Sequence, residues 1–191
     1  MKKVFIIGFN RTATKALHML FKDAGYFSAH YSLRDIKNGD SIIMAQQMKE
    51  NLESYKPILY GMNHLQVISD MFWHREDVWI DGIKYFKELH NEYPDAYFIL
   101  NTRPMIDWLA SKEDHKKGAY ISRCMQYHKK DKESMLDWFA QDREETHQAM
   151  REYFEHNDKF IEFDVKNDDI DTLIDFMKPE FFLDKKHWKK V

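Results

Sequence analysis

VFIIGFNRTATKAL, residues 4–17, joins a continuous apolar run to a polar cluster containing two cations and then to an apolar helix-like repeat. A run such as Val4–Phe9 suits a strand buried on both faces, as in a parallel sheet. Beyond the cluster, Ala13, Ala16, Leu17, Leu20, Phe21 and Ala24 recur at helical spacing, and Gly25 supplies a stop. Strand, tight polar turn and amphipathic helix together open a βαβ unit.

The same alternation continues along the chain. Residues 40–55 read as helix, and PILYGM (57–62) as a short strand. GIKYFKELHNEY (82–93) reads as a helix ended by Pro94, and AYFILNT (96–102) as a second strongly buried strand. Pro104 sits in the first turn of the next helix. Residues 132–156 form one or two charged helices, KFIEFDV (159–165) a last strand, and DIDTLIDFM (169–177) a short helix. The expected fold is α/β, a P-loop-like three-layer sandwich with a central, mainly parallel sheet flanked by helices, in a single domain over residues 1–191.

Composition narrows the partners. The 191 residues are 43% hydrophobic and 15% aromatic, enough for a packed core. Basic and acidic residues nearly balance, 29 against 32, for a net charge of -3. Such a surface has no bulk attraction for nucleic acid or an anionic membrane, so a polyanion site must be built locally. Cys124 is the only cysteine, which excludes an internal disulfide and a cysteine-cluster metal site. The apolar run after Lys2 and Lys3 is too short for a signal peptide, and nothing approaches the ~20 apolar residues of a membrane span. The expectation is a cytoplasmic protein.

A turn from a parallel strand into a helix presents unpaired N–H groups at the positive end of the helix dipole, where phosphate or sulfate binds. Thr12 and Thr14 would add hydroxyls, Arg11 and Lys15 positive charge. The stretch is neither G-x-x-x-x-G-K-[ST] nor G-x-G-x-x-G. In FILNTRPMIDWLAS (98–111), Arg103 follows a buried strand at the edge where open α/β sheets bind ligands, and Ser111 stands eight positions later.

These motifs resemble the sulfotransferase superfamily, whose loop is of the type [KR]-[ST]-G-T-[ST]; RTATK (11–15) looks like a variant of it. A bacterial-type branch is also similar through WIDGIKYFKELHNEYPDAYFILNTRPMIDWLAS (79–111). The resemblance implies 3′-phosphoadenosine 5′-phosphosulfate (PAPS) as donor and 3′,5′-diphosphoadenosine (PAP) as product, with no metal. It implies that Arg11, Thr12, Ala13, Thr14, Lys15 and Ala16 hold the 5′-phosphosulfate, while Arg103 and Ser111 hold the 3′-phosphate. Arg11 would stabilise the leaving group. Asp81 would be the general base, with His74 and His30 as rivals, and the basic tail 184–190 could reach the 3′-phosphate. Ala13 departs from the usual glycine, Lys15 from Ser or Thr, and Gly82 from proline. The acceptor is expected to be a small molecule or carbohydrate carrying a hydroxyl or amine. A P-loop-type nucleotide kinase and a non-catalytic nucleotide-binding protein stay open as alternatives.

Overall fold

Every second residue of the first strand faces an opposite layer, and that alternation builds the molecule. The computed structural model describes residues 1–34, 40–178 and 180–189. The elements run β1 (Val4–Ile6), α1 (Thr14–Asp23), β2 (Ser28–His30), β3 (Ser32–Arg34), β4 (Ser41–Ile43) and α2 (Met44–Glu53). Next come β5 (Val67–Ser69), β6 (Phe72–His74), β7 (Trp79–Asp81), a 3₁₀ turn (Gly82–Tyr85) and α3 (Phe86–Glu92). The chain continues through β8 (Tyr97–Thr102), α4 (Met105–Asp114), α5 (Ala119–His128), α6 (Lys132–Phe154), β9 (Phe160–Asp164) and α7 (Ile170–Met177), then a 3₁₀ turn at Lys185–His187.

The main sheet has the order β4-β3-β2-β5-β1-β8-β9. Its five strands from β2 to β9 are parallel, and β3 and β4 extend one edge antiparallel. Phe5, Ile7, Ile68, Phe98 and Leu100 pack on one side against residues of α2 to α6, including Trp108, Phe139 and Phe154. Val4, Ile6, Val67, Tyr97, Ile99 and Phe163 pack on the other against α1 and α7. The result is the expected α/β three-layer sandwich.

The parallel strands carry their carboxyl ends to one edge, so the tips of β2, β5, β1, β8 and β9 share it. β1 lies between β5 and β8. Strands on either side of it bring their terminal residues to the loop after β1, where open α/β sheets take ligands.

Three expectations change. Residues 57–62 form turns rather than a strand. The Asn51 amide donates to the carbonyls of Ile58 and Tyr60 (both 3.0 Å), Glu92 accepts from the Ile58 N–H, and the strand lies instead at β5. Residues 40–55 divide into β4 and α2, and residues 82–93 into the 3₁₀ turn and α3. Gly82 has a local reason: its N–H donates to the Met71 carbonyl at 2.7 Å, and a Cβ would stand 2.9 Å from that oxygen. A proline there would lose the bond and meet the oxygen.

Candidate active site

The loop after β1 is held by the tip of β8. Gly8 lies so close to that strand that a Cβ would fall 2.0 Å from the Asn101 carbonyl oxygen. Its N–H donates to Asn101 Oδ1 (2.9 Å), and Asn101 Nδ2 donates to both the carbonyl and the hydroxyl oxygen of Thr12 (2.6 Å each). The Thr12 hydroxyl donates back to the Phe9 carbonyl. Thr12 is wholly buried, so it shapes the loop from within rather than facing a ligand as its place in the motif implies. The Trp108 indole donates to the Asn10 carbonyl at 2.9 Å.

Two residues of this loop adopt the left-handed conformation, Arg11 at φ 70° and Ala13 at φ 63°. For a residue with a Cβ this costs of the order of 1–3 kcal/mol, sustained by the bonds just described. Ala13 thereby keeps the backbone shape that a glycine would adopt freely. It is the N-cap of α1, with no side-chain cap and no acid in the first turn. The leading amides of α1, from Thr14, Lys15 and Ala16, are therefore without a side-chain acceptor at the positive end of the helix.

Arg103 and Ser111 meet this loop. Arg103 Nη1 donates to the Arg11 carbonyl (3.2 Å), and Arg11 Nε donates to Ser111 Oγ (3.1 Å). The Arg103 carbonyl accepts from Arg143 Nη2 at 2.6 Å, while Arg103 Nε is buried without a partner. Among the described residues, neither Arg11 nor Arg103 forms an ion pair with a carboxylate. An anion bound here would find helix amides, Lys15 and two guanidinium groups that no described carboxylate pairs directly.

His74 and Asp81 also come together, at the mouth of the β6–β7 hairpin. The His74 ring stacks on Trp79 (centroids 3.6 Å, 7° apart), and His74 Nε2 lies 2.7 Å from Asp81 Oδ1. Asp81 Oδ2 accepts from the Trp79 indole at 2.9 Å. Burial alone would raise the Asp81 carboxyl, but these donors and nearby Lys84 hold it below its ordinary value. Burial lowers His74, with Asp81 opposing. An ionised Asp81 accepts the His74 Nε2–H, and Nδ1 is left to accept from the Tyr120 hydroxyl at 2.9 Å, a tautomer assigned from these partners. Tyr120 is in turn 3.3 Å from both Asn10 Nδ2 and Lys112 Nζ. Asp81 thus has both oxygens engaged and faces inward, reaching the anion loop only through His74, Tyr120 and Asn10.

A carboxylate absent from the sequence reading lies closer to the loop. Asp70 follows β5 at the strand tip beside β1, with φ 57° and a side chain 16% exposed. Burial pushes its carboxyl up to about 6, against the opposing charges of His74, Lys112 and Arg11. Its Oδ2 is 3.7 Å from His30 Nε2, and that nitrogen is 3.2 Å from the Thr14 hydroxyl. Burial and the Lys15 charge push His30 down to about 4, leaving a neutral ring. The carboxyl edge therefore pairs an anion cradle with a carboxylate whose affinity for protons has been raised.

A family model described as a sulfotransferase domain matches residues 3–181. The chain belongs to the sulfotransferase family. A comparison with curated proteins gives no match. Sulfuryl transfer accordingly accounts for a site rich in anion donors.

In this sulfotransferase domain the tail runs along the α1 and α7 side. Lys185 pairs with Asp171 (2.6 Å) and Asp169 (3.3 Å), Lys186 pairs with Asp184, and Trp188 packs near Phe163. The tail's basic residues 185 and 186 are therefore engaged with acids, and residue 190 lies outside the described residues. No described helix is long and apolar enough to cross a membrane, and no three His, Cys, Asp or Glu side chains among the described residues are gathered as a metal would need.

Proposed function

We propose that the protein transfers a sulfuryl group from PAPS to a hydroxyl or amine of an acceptor by in-line displacement. The observation that carries this reading is the meeting of Arg103, Ser111 and Arg11 at adjoining strand tips. Two anion grips side by side suit a nucleotide with phosphate at both its 3′ and 5′ positions. The uncapped α1 amides and the partnerless Arg103 Nε fit that donor.

Ala13, Thr14, Lys15 and Ala16 would hold the 5′-phosphosulfate in a loop shaped by Thr12, and Arg103 with Ser111 the 3′-phosphate. Bound there, PAPS supplies the sulfuryl group and departs as PAP. Arg11 and Lys15 neutralise the charge that gathers on the bridging oxygen of the leaving group, and the helix amides are fixed before reaction begins. Asp70 takes the acceptor's proton, and His30 orients its carboxylate. A base with a pKa near the working pH combines a high ionised fraction with a real affinity for the proton. Asp81 acts at one remove, holding His74 against Tyr120 and Asn10. The buried lone Cys124 accords with a reducing, cytoplasmic setting.

The test is release of PAP from PAPS across a panel of hydroxyl and amine acceptors. Arg11→Ala should lose ~10²-fold or more in turnover, the scale of one transition-state donor, with an unchanged far-UV spectrum. An Arg11→Ala protein as fast as wild type would remove Arg11 from the leaving-group role.

A further inference from the structure

Next to His74, two arginines are held together with no acid between them. Arg75, in the turn of the β6–β7 hairpin, directs Nη1 at the His74 carbonyl (3.5 Å), and Arg123, on α5, directs its own Nη1 at the same oxygen (3.2 Å). One carbonyl cannot neutralise two guanidinium charges. Among the described residues neither arginine forms an ion pair, and the hairpin acids Glu76 and Asp77 are exposed and join neither of them. Two positive charges converging on one carbonyl, with no carboxylate paired to either, favour an anion between them.

Both groups are also fixed in advance. The Arg75 guanidinium sits 3.9 Å from the centre of the Trp73 ring and donates Nη2 to the Tyr31 hydroxyl (3.2 Å). Both arginines are half-buried. A preset, partly desolvated guanidinium pair matches the planar oxygens of a carboxylate, or those of a phosphate or sulfate ester, at little ordering cost.

Their position connects them to the reaction. Tyr31 follows His30 at the tip of β2 and feels the charges of Arg75, Asp70 and Arg123. His115, after α4, feels those of Arg11 and Arg123. The pair is therefore near both Asp70 and Arg11, and it stands on the β6–β7 hairpin and α5, elements that carry neither Arg103 nor Ser111.

We infer that Arg75 and Arg123 form an acceptor subsite for an anionic group, so that the acceptor is an alcohol or amine that itself carries a carboxylate, phosphate or sulfate. The inference rests on the sulfotransferase reading, because that reading sets the acceptor against Asp70, which neighbours Tyr31 and Arg75. The anion anchors one end of the acceptor while Asp70 faces the nucleophile at the other.

The experiment is calorimetry on protein saturated with PAP, which fills the donor grips, using matched probes. The pairs are methyl β-D-glucuronide against methyl β-D-glucoside, 4-hydroxyphenylacetate against its amide, and glucose 6-phosphate against glucose. The anionic member of at least one pair should bind about tenfold more tightly or better, the scale of a charge-assisted pair. The carboxylate and phosphate arms report which anion is preferred. Arg75→Gln combined with Arg123→Gln should erase that preference while PAP affinity and melting temperature hold, and either single change should reduce it should the double variant fail to fold. Equal binding within every pair, or a preference that survives both substitutions, overturns the subsite and leaves the donor reading standing. Failure of wild type to bind PAP overturns the sulfotransferase reading itself, and the subsite with it.

Discussion

Replacing Asp70 by asparagine should make the protein more stable and nearly inactive, a combination that a merely structural carboxylate would not give. The raised carboxyl measures what the folded state spends to keep that charge. Its pKa moves from an ordinary 3.8 to about 6, equivalent to about 3 kcal/mol. The sign follows from proton counting. Between pH 4 and 6 the folded protein holds a proton that the unfolded chain has released, so stability falls as pH rises through that window. Above pH 6 the full cost is present, and below pH 4 it vanishes. Asparagine carries no charge at any pH and tolerates the left-handed backbone that Asp70 adopts at φ 57°. Asp70→Asn should therefore gain up to about 3 kcal/mol at pH 7, or ~6–12 °C in melting temperature for a domain of this size, and the gain should disappear near pH 4. PAP release should fall by ~10²–10⁴-fold, the usual weight of a general base. Wild-type kcat/KM should fall tenfold per pH unit below about 6. Urea titrations at pH 4 and 7 with PAP-release assays decide the matter. A variant with no stability gain at pH 7, or one with full turnover, would refute the reasoning.

Asp81→Asn should chiefly cost stability, about 3–5 kcal/mol, because one amide cannot accept from both the His74 and Trp79 donors that now share the carboxylate; urea midpoints measure this, and a stable but inactive variant would return the base role to Asp81. Lys112 is buried among Phe9, Trp108, Tyr120 and Phe139, and burial pushes it down to about 8 from 10.5. Between those values the unfolded chain binds the proton and the folded one does not, so wild-type stability should rise with pH from 8 to 9.5 relative to Lys112→Met; parallel profiles would contradict a desolvated lysine. Gly8→Ala should lose several kcal/mol or fail to fold, since its Cβ would stand 2.0 Å from the Asn101 oxygen, and a wild-type melting temperature would show that the loop does not approach β8 so closely.

The parts of the fold that could be read from sequence are those whose apolar runs outlast any ambiguity of period. Val4–Phe9 and residues 96–102 are long enough to mark buried strands, and residues 159–165 a half-exposed edge strand; their counterparts are β1, β8 and β9. A three-residue strand that no longer apolar run surrounds carries no such signal. Val67, Ile68 and Ser69 lie in QVISDMFWH, where strand, tip and hairpin follow one another without a break, so neither β5 nor Asp70 stood out. A lone acid directly after Val-Ile-Ser was the available sign, and it depended on first recognising the strand. Asp81 and His74 were both visible as candidates, but the hairpin register that sets Phe72 against Asp81 and His74 against Trp79 was not. Ile58 and Leu59 read as strand because they are apolar, yet both are buried from a turn. Arg103 and Ser111 were legible because a strand end followed by a regular helix converts eight positions of sequence into a defined place.

The central claim is that one nucleotide is grasped at two phosphates by neighbouring strand tips. Calorimetric titration of the wild type and of Arg103→Ala with PAP and with adenosine 5′-monophosphate tests it most directly. Wild type should bind PAP about 10–100-fold more tightly than the monophosphate, the worth of a charged hydrogen-bonding pair, and Arg103→Ala should bind the two nearly alike. Equal affinities in the wild type, or a PAP preference untouched by loss of Arg103, would contradict the account.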